Sequence, residues 1–253
     1  MLTALSDRAA AASLAHAART CRPRPPARDQ AAVAVIRCGG LRNHAPPPIA
    51  TTNVIIALAT ALVATAAGPA AAAGYGTSAR LEYLLVPLVF GLGAPLVALV
   101  GTNVGAGERK RALRIAFVGG ALAFAITEAI GVVAALWPQA WITLFSADAR
   151  VIETGTDYLR VVGPSYGFFG LALALYFASQ GAGRLFWPLS AGFLRMFVAI
   201  AGGWLALRLT GSLNSLFAAL ALGLVLHGLT LVVAVGGGAW FRNPPQRITA
   251  PAA

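Results

Sequence analysis

Six stretches of this chain are long and apolar enough to cross a lipid bilayer as helices, and this constrains its fold more than any motif does. A hydrocarbon core about 30 Å thick needs roughly 20 apolar residues of helix at about 1.5 Å rise each. The stretches are 51–73, 83–104, 115–137, 161–183, 185–207 and 213–235. The only ionisable side chains inside them are Glu128 in the third, Arg195 in the fifth and His227 in the sixth. Composition agrees. The chain is 58% hydrophobic and 11% charged, whereas a soluble domain carries about 25% charged residues to cover its wet surface. The expected fold class is an all-α integral membrane protein with six transmembrane helices, and its first partner is the lipid bilayer. A net charge of +11 suits nucleic acid only when the basic residues share one face of a folded domain. Here they lie in an N-terminal segment and in gaps between apolar runs, so no nucleic-acid partner is expected.

The connecting loops are short, so their Lys/Arg content sets orientation. One side holds Arg109, Lys110, Arg111, Arg114, Arg184, Arg242 and Arg247, together with the arginines of the N-terminal segment; the other holds Arg80, Arg150, Arg160 and Arg208. The bias places both termini in the cytoplasm, with the chain multi-pass in the inner or plasma membrane. Residues 1–50 are Pro- and Arg-rich without helical or strand periodicity, and such a segment buries too little apolar surface to order itself. Residues 51–241 form the transmembrane unit and 242–253 a tail. The stretch SADARVIETGTDYLR reads as a short surface helix running into the fourth span, with Ser146 as its N-cap and Asp148 in its first turn. Cys21 and Cys38 lack metal-ligand spacing.

VGTNVGAGERKRALR, residues 100–114, poses a sharper question: three glycines followed at once by basic residues suggest a phosphate-binding loop. The spacing is wrong for one, no Ser or Thr follows Lys110, and a long uncharged run precedes it instead of a strand. The alternative is structural. Gly101 and Gly105 form a GxxxG for close helix packing. Gly105 and Gly107 end the helix, and the basic cluster faces anionic headgroups. This loop also resembles the one after the second helix of a lobe in multidrug and toxic compound extrusion (MATE) transporters. AAAGYGTSARLEYLLVPLVFGLG resembles the entry to that helix. YLRVVGPSYGFFGLALALYFASQGAGR resembles the fourth helix of the C-terminal lobe, including its Gln180–Gly181 ending. The resemblance covers roughly residues 54–241 and only the C-terminal six-helix lobe. It implies two lobes around a central cavity, exporting organic cations against protons or sodium and needing no other cofactor. This chain would then work with a first lobe or with a second copy of itself.

An ionisable residue within a span is a functional candidate by default. Counted from the cytoplasmic ends, Glu128 lies about 20 Å deep and Arg195 about 15 Å, so the two are expected to pair or to act together in ion coupling. Burial disfavours the charged carboxylate and a nearby cation favours it, so a moving Arg195 would make Glu128 a proton carrier; the alternative is a structural pair, or a neutral Glu128 beside a snorkelling Arg195. Glu82 follows Arg80 at the outer mouth of the second span, where a solvated pair contributes little; lining the cavity is its other role. His227 either hydrogen-bonds a neighbouring helix or carries protons. Gly163, Pro164 and Gly167 open the fourth span and form the expected hinge. Tyr166, Tyr176 and Gln180 either face the cavity, where the aromatics would meet a flat cation, or anchor the chain at the interface. No catalytic triad, Cys/His pair or metal-spaced set converges, so no enzyme and no metal site is expected. Three functions compete: an exporter lobe, a truncated remnant that transports nothing, and a lipid-linked sugar flippase of the same superfamily.

Overall fold

The computed structural model describes residues 48–238 and 240–241. The N-terminal segment, its two cysteines and the tail after 241 lie outside the described residues. Within a bilayer every backbone polar group must be satisfied internally, and the described residues accordingly fold into helices: α1 (Pro48–Gly105), α2 (Arg109–Leu136), α3 (Pro138–Ile142), α4 (Ala149–Val162), α5 (Tyr166–Gly181), α6 (Phe186–Phe197), α7 (Gly203–Thr210) and α8 (Leu213–Gly236). A 3-10 turn, Gly163–Ser165, joins α4 to α5, and a π turn, Val198–Gly202, joins α6 to α7. Five continuous rods are long and apolar enough to cross a membrane: Thr51–Gly105, Arg109–Leu136, Ala149–Gly181, Phe186–Thr210 and Leu213–Gly236.

The first rod is two limbs. Gly68 has φ 87° and ψ 178°, a backbone region open essentially to glycine alone, and Pro69 follows with no N–H to continue the ladder. Tyr83 donates its hydroxyl hydrogen to Asn53 Oδ1 at 2.9 Å. These residues flank Gly68 symmetrically, so the two limbs of this rod fold back on each other. The reversal differs from the expected boundary: residues 74–82, read as a loop between spans, are helix. Replacing Gly68 by alanine, where no atom lies within 4 Å of the added Cβ, tests the backbone alone. Thermal unfolding in detergent is expected to show a loss of about 1–3 kcal/mol.

Close contacts fix the packing. Gly101 faces the Gly181 carbonyl and Gly74 faces Thr154, so the second limb of α1 runs parallel to α4–α5. Gly131 faces Gly163 and Gly120 faces Leu171, so α2 runs antiparallel to them. The buried face of α2 is Ala112, Ala116, Gly120, Ala123, Thr127, Gly131 and Ala134. Small residues three and four apart make one stripe and let backbones approach closely, as membrane helices require when lipid gives no hydrophobic drive to associate. Large side chains point outward instead: Leu122, Val133, Phe197, Leu209 and Val233 are exposed, forming a surface suited to lipid.

The segment 149–160 is buried where a surface helix was expected. Val151, Thr154, Tyr158 and Leu159 face inward, and Tyr158 meets Tyr75 and Phe217 edge-on at 5.1 and 5.4 Å. Its N-cap is Asp148, which accepts from the Arg150 and Val151 N–H groups at 2.7 and 3.4 Å. Ser146 sits two residues earlier and accepts from the Asp148 N–H at 3.2 Å.

Candidate functional site

Limb reversal at Gly68 carries Glu82 into the interior. A helix from 69 to 105 buries Ala71, Tyr75, Ser78, Ala79, Glu82 and Leu85, a spacing of three and four that places all six on one face. Arg80 is two residues from Glu82, and such neighbours point apart on a helix. Arg80 lies instead over the Phe145 ring at 5.6 Å. The solvated Arg80–Glu82 pair expected from sequence is therefore not formed.

Glu82 pairs with Arg195. Arg195 Nη2 donates to Glu82 Oε1, and both side chains are about 95% buried, at 5% and 4% exposure. Arg195 Nη1 donates to Thr52 Oγ1 at 3.3 Å, and the guanidinium lies over the Phe169 ring at 5.3 Å. Gly223, near the middle of the 24-residue α8, faces the Arg195 carbonyl, so the pair sits at mid-height of that rod. Charge at this depth is costly unless paired and hydrogen-bonded, and here it is both.

Arg195 lines two cavities. One is lined by Thr51, Thr52, Val86, Phe169, Tyr176, Pro188, Gly192, Arg195 and His227, with further apolar residues. The other, smaller, is lined by Tyr75, Glu82, Tyr158, Arg195 and neighbouring apolar groups. The carboxylate of Glu82 thus lies on one side of the guanidinium and the aromatic cavity on the other. His227 Nδ1 is buried without a hydrogen-bond partner among the described residues.

The expected Glu128–Arg195 pair is not formed. Glu128 points from α2 toward α5, where Oε2 accepts the Gly167 N–H at 2.7 Å. Of the three expected cavity residues on α5, only the half-buried Tyr176 lines the aromatic cavity. Tyr166 is fully buried in the core and Gln180 is exposed. Among the packing glycines, Gly101 contacts Gly181, Gly105 has no neighbour within 4 Å of an added Cβ, and Gly107 turns the chain at φ 81°. Gly163 and Pro164 lie in the 3-10 turn and Gly167 in the first turn of α5. Sequence reasoning missed Trp240, whose indole N–H donates to Ser179 Oγ at 3.2 Å, and Phe241, which Arg109 covers at 4.9 Å. Two aromatics directly after an apolar span were the available signal.

Bilayer-spanning rods with a buried ion pair at mid-height, in the wall of an aromatic cavity, define a multi-pass membrane protein. The sequence profile of the MatE family matches residues 48–205, more than half of the chain. The chain belongs to the MatE family, the MATE transporters, which carry solutes and are not enzymes. It is 28% identical over 133 residues to a protein named FAD transporter from Shewanella oneidensis, covering 51% of this chain and 29% of that one. It is 25% identical over 133 residues to the probable multidrug resistance protein NorM of Thermotoga maritima, covering 53% of this chain and 29% of that one. Its fold is similar to that of the MATE transporter ClbM in complex with Rb+, with a TM-score of 0.68 at 18% identity, over 78% of this chain and 45% of that one. The chain thus spans less than a third of the curated relatives it matches and under half of the solved transporter.

Proposed function

We propose that the chain is the C-terminal lobe of an ion-coupled exporter of aromatic organic cations, with both termini cytoplasmic. It works with a first lobe or a second copy of itself, since one lobe supplies one wall of a central cavity. The observation that carries this reading is the placement of Arg195 between Glu82 and the aromatic cavity. In the resting arrangement the guanidinium neutralises Glu82. A proton or sodium ion arriving at Glu82 releases Arg195, and the freed guanidinium repels a substrate cation held between Phe169 and Tyr176, where ring faces attract it. Coupling ion and substrate therefore bind in turn, which is what exchange requires. Rocking of two bundles about a midplane site then moves each across.

The test is ethidium efflux from drug-sensitive cells expressing the chain, driven by an imposed proton or sodium gradient. Efflux is expected with the wild type and is expected to disappear in the charge-free pair E82Q/R195M at an equal amount of inserted protein. Wild-type insertion without efflux, and without a lobe captured by cross-linking, would make the chain a remnant. Movement of lipid-linked sugar in place of ethidium would make it a flippase. Efflux unchanged in the double variant would remove Glu82 from the mechanism.

A further inference from the structure

Glu128 stands apart from the charge pair, and its surroundings give it a different task. The helix formed by α4 and α5 is interrupted by Gly163–Ser165, where Pro164 offers no N–H and the Tyr166 N–H closes a tight turn onto the Gly163 carbonyl. α5 restarts at Tyr166, and the N–H groups of a helix's first turn have no partner within that helix. Gly167 is one of them. Its N–H donates to Glu128 Oε2 at 2.7 Å across the gap to α2. The approach depends on glycine: a Cβ at 167 would overlap Glu128 Oε2 and Cβ and the Phe124 ring. Phe124 in turn meets Phe168 edge-on at 5.3 Å. On the same side, Gly131 and Gly163 bring the two backbones together, and Gly170 lies against Thr127. One side-chain acceptor from α2 is thus held against the interruption by four glycines.

We propose that Glu128 is a positioning residue that straps α5 to α2 and fixes the angle at the α4–α5 interruption. It supplies a side-chain acceptor to the Gly167 N–H in the first turn of the restarted helix. Bending at Gly163–Pro164 separates Gly167 from Glu128, so the strap sets how readily the rod bends. The consequence for transport rests on the exporter reading above; the strap itself does not, and its test uses no transport. It also changes what substitutions at 128 should do. A proton carrier must titrate, whereas a strap needs an oxygen that accepts, which glutamine also has.

Amide hydrogen exchange of the full chain in lipid nanodiscs separates these roles. In E128A, exchange of the Gly167 amide is expected to rise about tenfold, while E128Q stays within about twofold of wild type. Spin labels at the exposed positions Glu153 and Gln180, one on each side of the interruption, are expected to show a broader distance distribution in E128A and an unchanged one in E128Q. Unchanged exchange and distances in E128A would overturn the strap. E128Q behaving like E128A in both measurements would also overturn it, because the requirement would then be the charge and not the acceptor. Failure of ethidium export with the strap signature intact would count against the exporter reading alone.

Discussion

Replacing Arg195 by methionine is expected to destabilise the lobe by about 3–5 kcal/mol, because it leaves the Glu82 carboxylate buried without its counter-charge. The side chain of Glu82 is only 4% exposed, so water offers it little compensation. Glutamine at 82 is expected to cost a similar amount by stranding the guanidinium. The double variant E82Q/R195M, with no charge left, should recover most of either loss, since a neutral pair of similar volume avoids desolvation altogether. Denaturant unfolding in mixed micelles of the four proteins forms a thermodynamic cycle, and the coupling energy is expected to exceed about 2 kcal/mol. Additive single effects would mean that the pair is not formed in the folded protein. Lysine at 195 is not expected to rescue. The planar guanidinium reaches Glu82 and Thr52 with separate nitrogens while covering Phe169, and an ammonium cannot keep that geometry. The combination of lower stability in either single variant and absent efflux in the stable double variant is what a retained functional pair predicts.

The last apolar helix is legible because its signal is local: 213–235 as read is α8, Leu213–Gly236. What lay beyond reach was the partner of each polar group. Residues 74–82 contain glycines, Ser78, Arg80 and Glu82, and look like a loop when nothing is known of what they touch. They are helical because remote segments satisfy them. Ser78 donates to the Gly155 carbonyl at 3.2 Å, and Glu82 meets Arg195, 113 residues away. The inward set Ala71, Tyr75, Ala79, Glu82, Leu85 and Val89 does carry the helical period, and that period points to a reversal at Gly68–Pro69 instead of 74–82. The depth estimate for Glu128 and Arg195 failed for another reason. Counting residues along rods gives height alone, and these two side chains point to different neighbours, α5 for one and α1 for the other. Depth without direction cannot pair them.

The α2 seam makes the strongest demand on a single residue type. Alanine at Gly131 would place its Cβ on the Gly163 carbonyl oxygen, and alanine at Gly163 would place its Cβ 2.7 Å from the Gly131 carbonyl. Neither obstacle is the end of a flexible side chain, so the rods must move apart to admit a methyl group. Overpacking of this kind costs about 1–3 kcal/mol, and here the displacement would also pull Glu128 from Gly167, adding the loss of a hydrogen bond worth about 0.5–1.5 kcal/mol. G131A is therefore expected to lower stability by about 2–4 kcal/mol and to speed exchange of the Gly167 amide without touching either strap residue. G91A is the counterpart. Gly91 also lies within a helix, but it is exposed and nothing stands within 4 Å of the added Cβ. The lower backbone entropy of alanine should leave it neutral or more stable by up to about 1 kcal/mol. Unfolding of the two variants in the same micelles decides the matter. Equal effects would mean that glycine at 131 reflects composition, whereas opposite signs would show that close backbone approach at Gly131 and Gly163 holds the interruption where Glu128 can reach it.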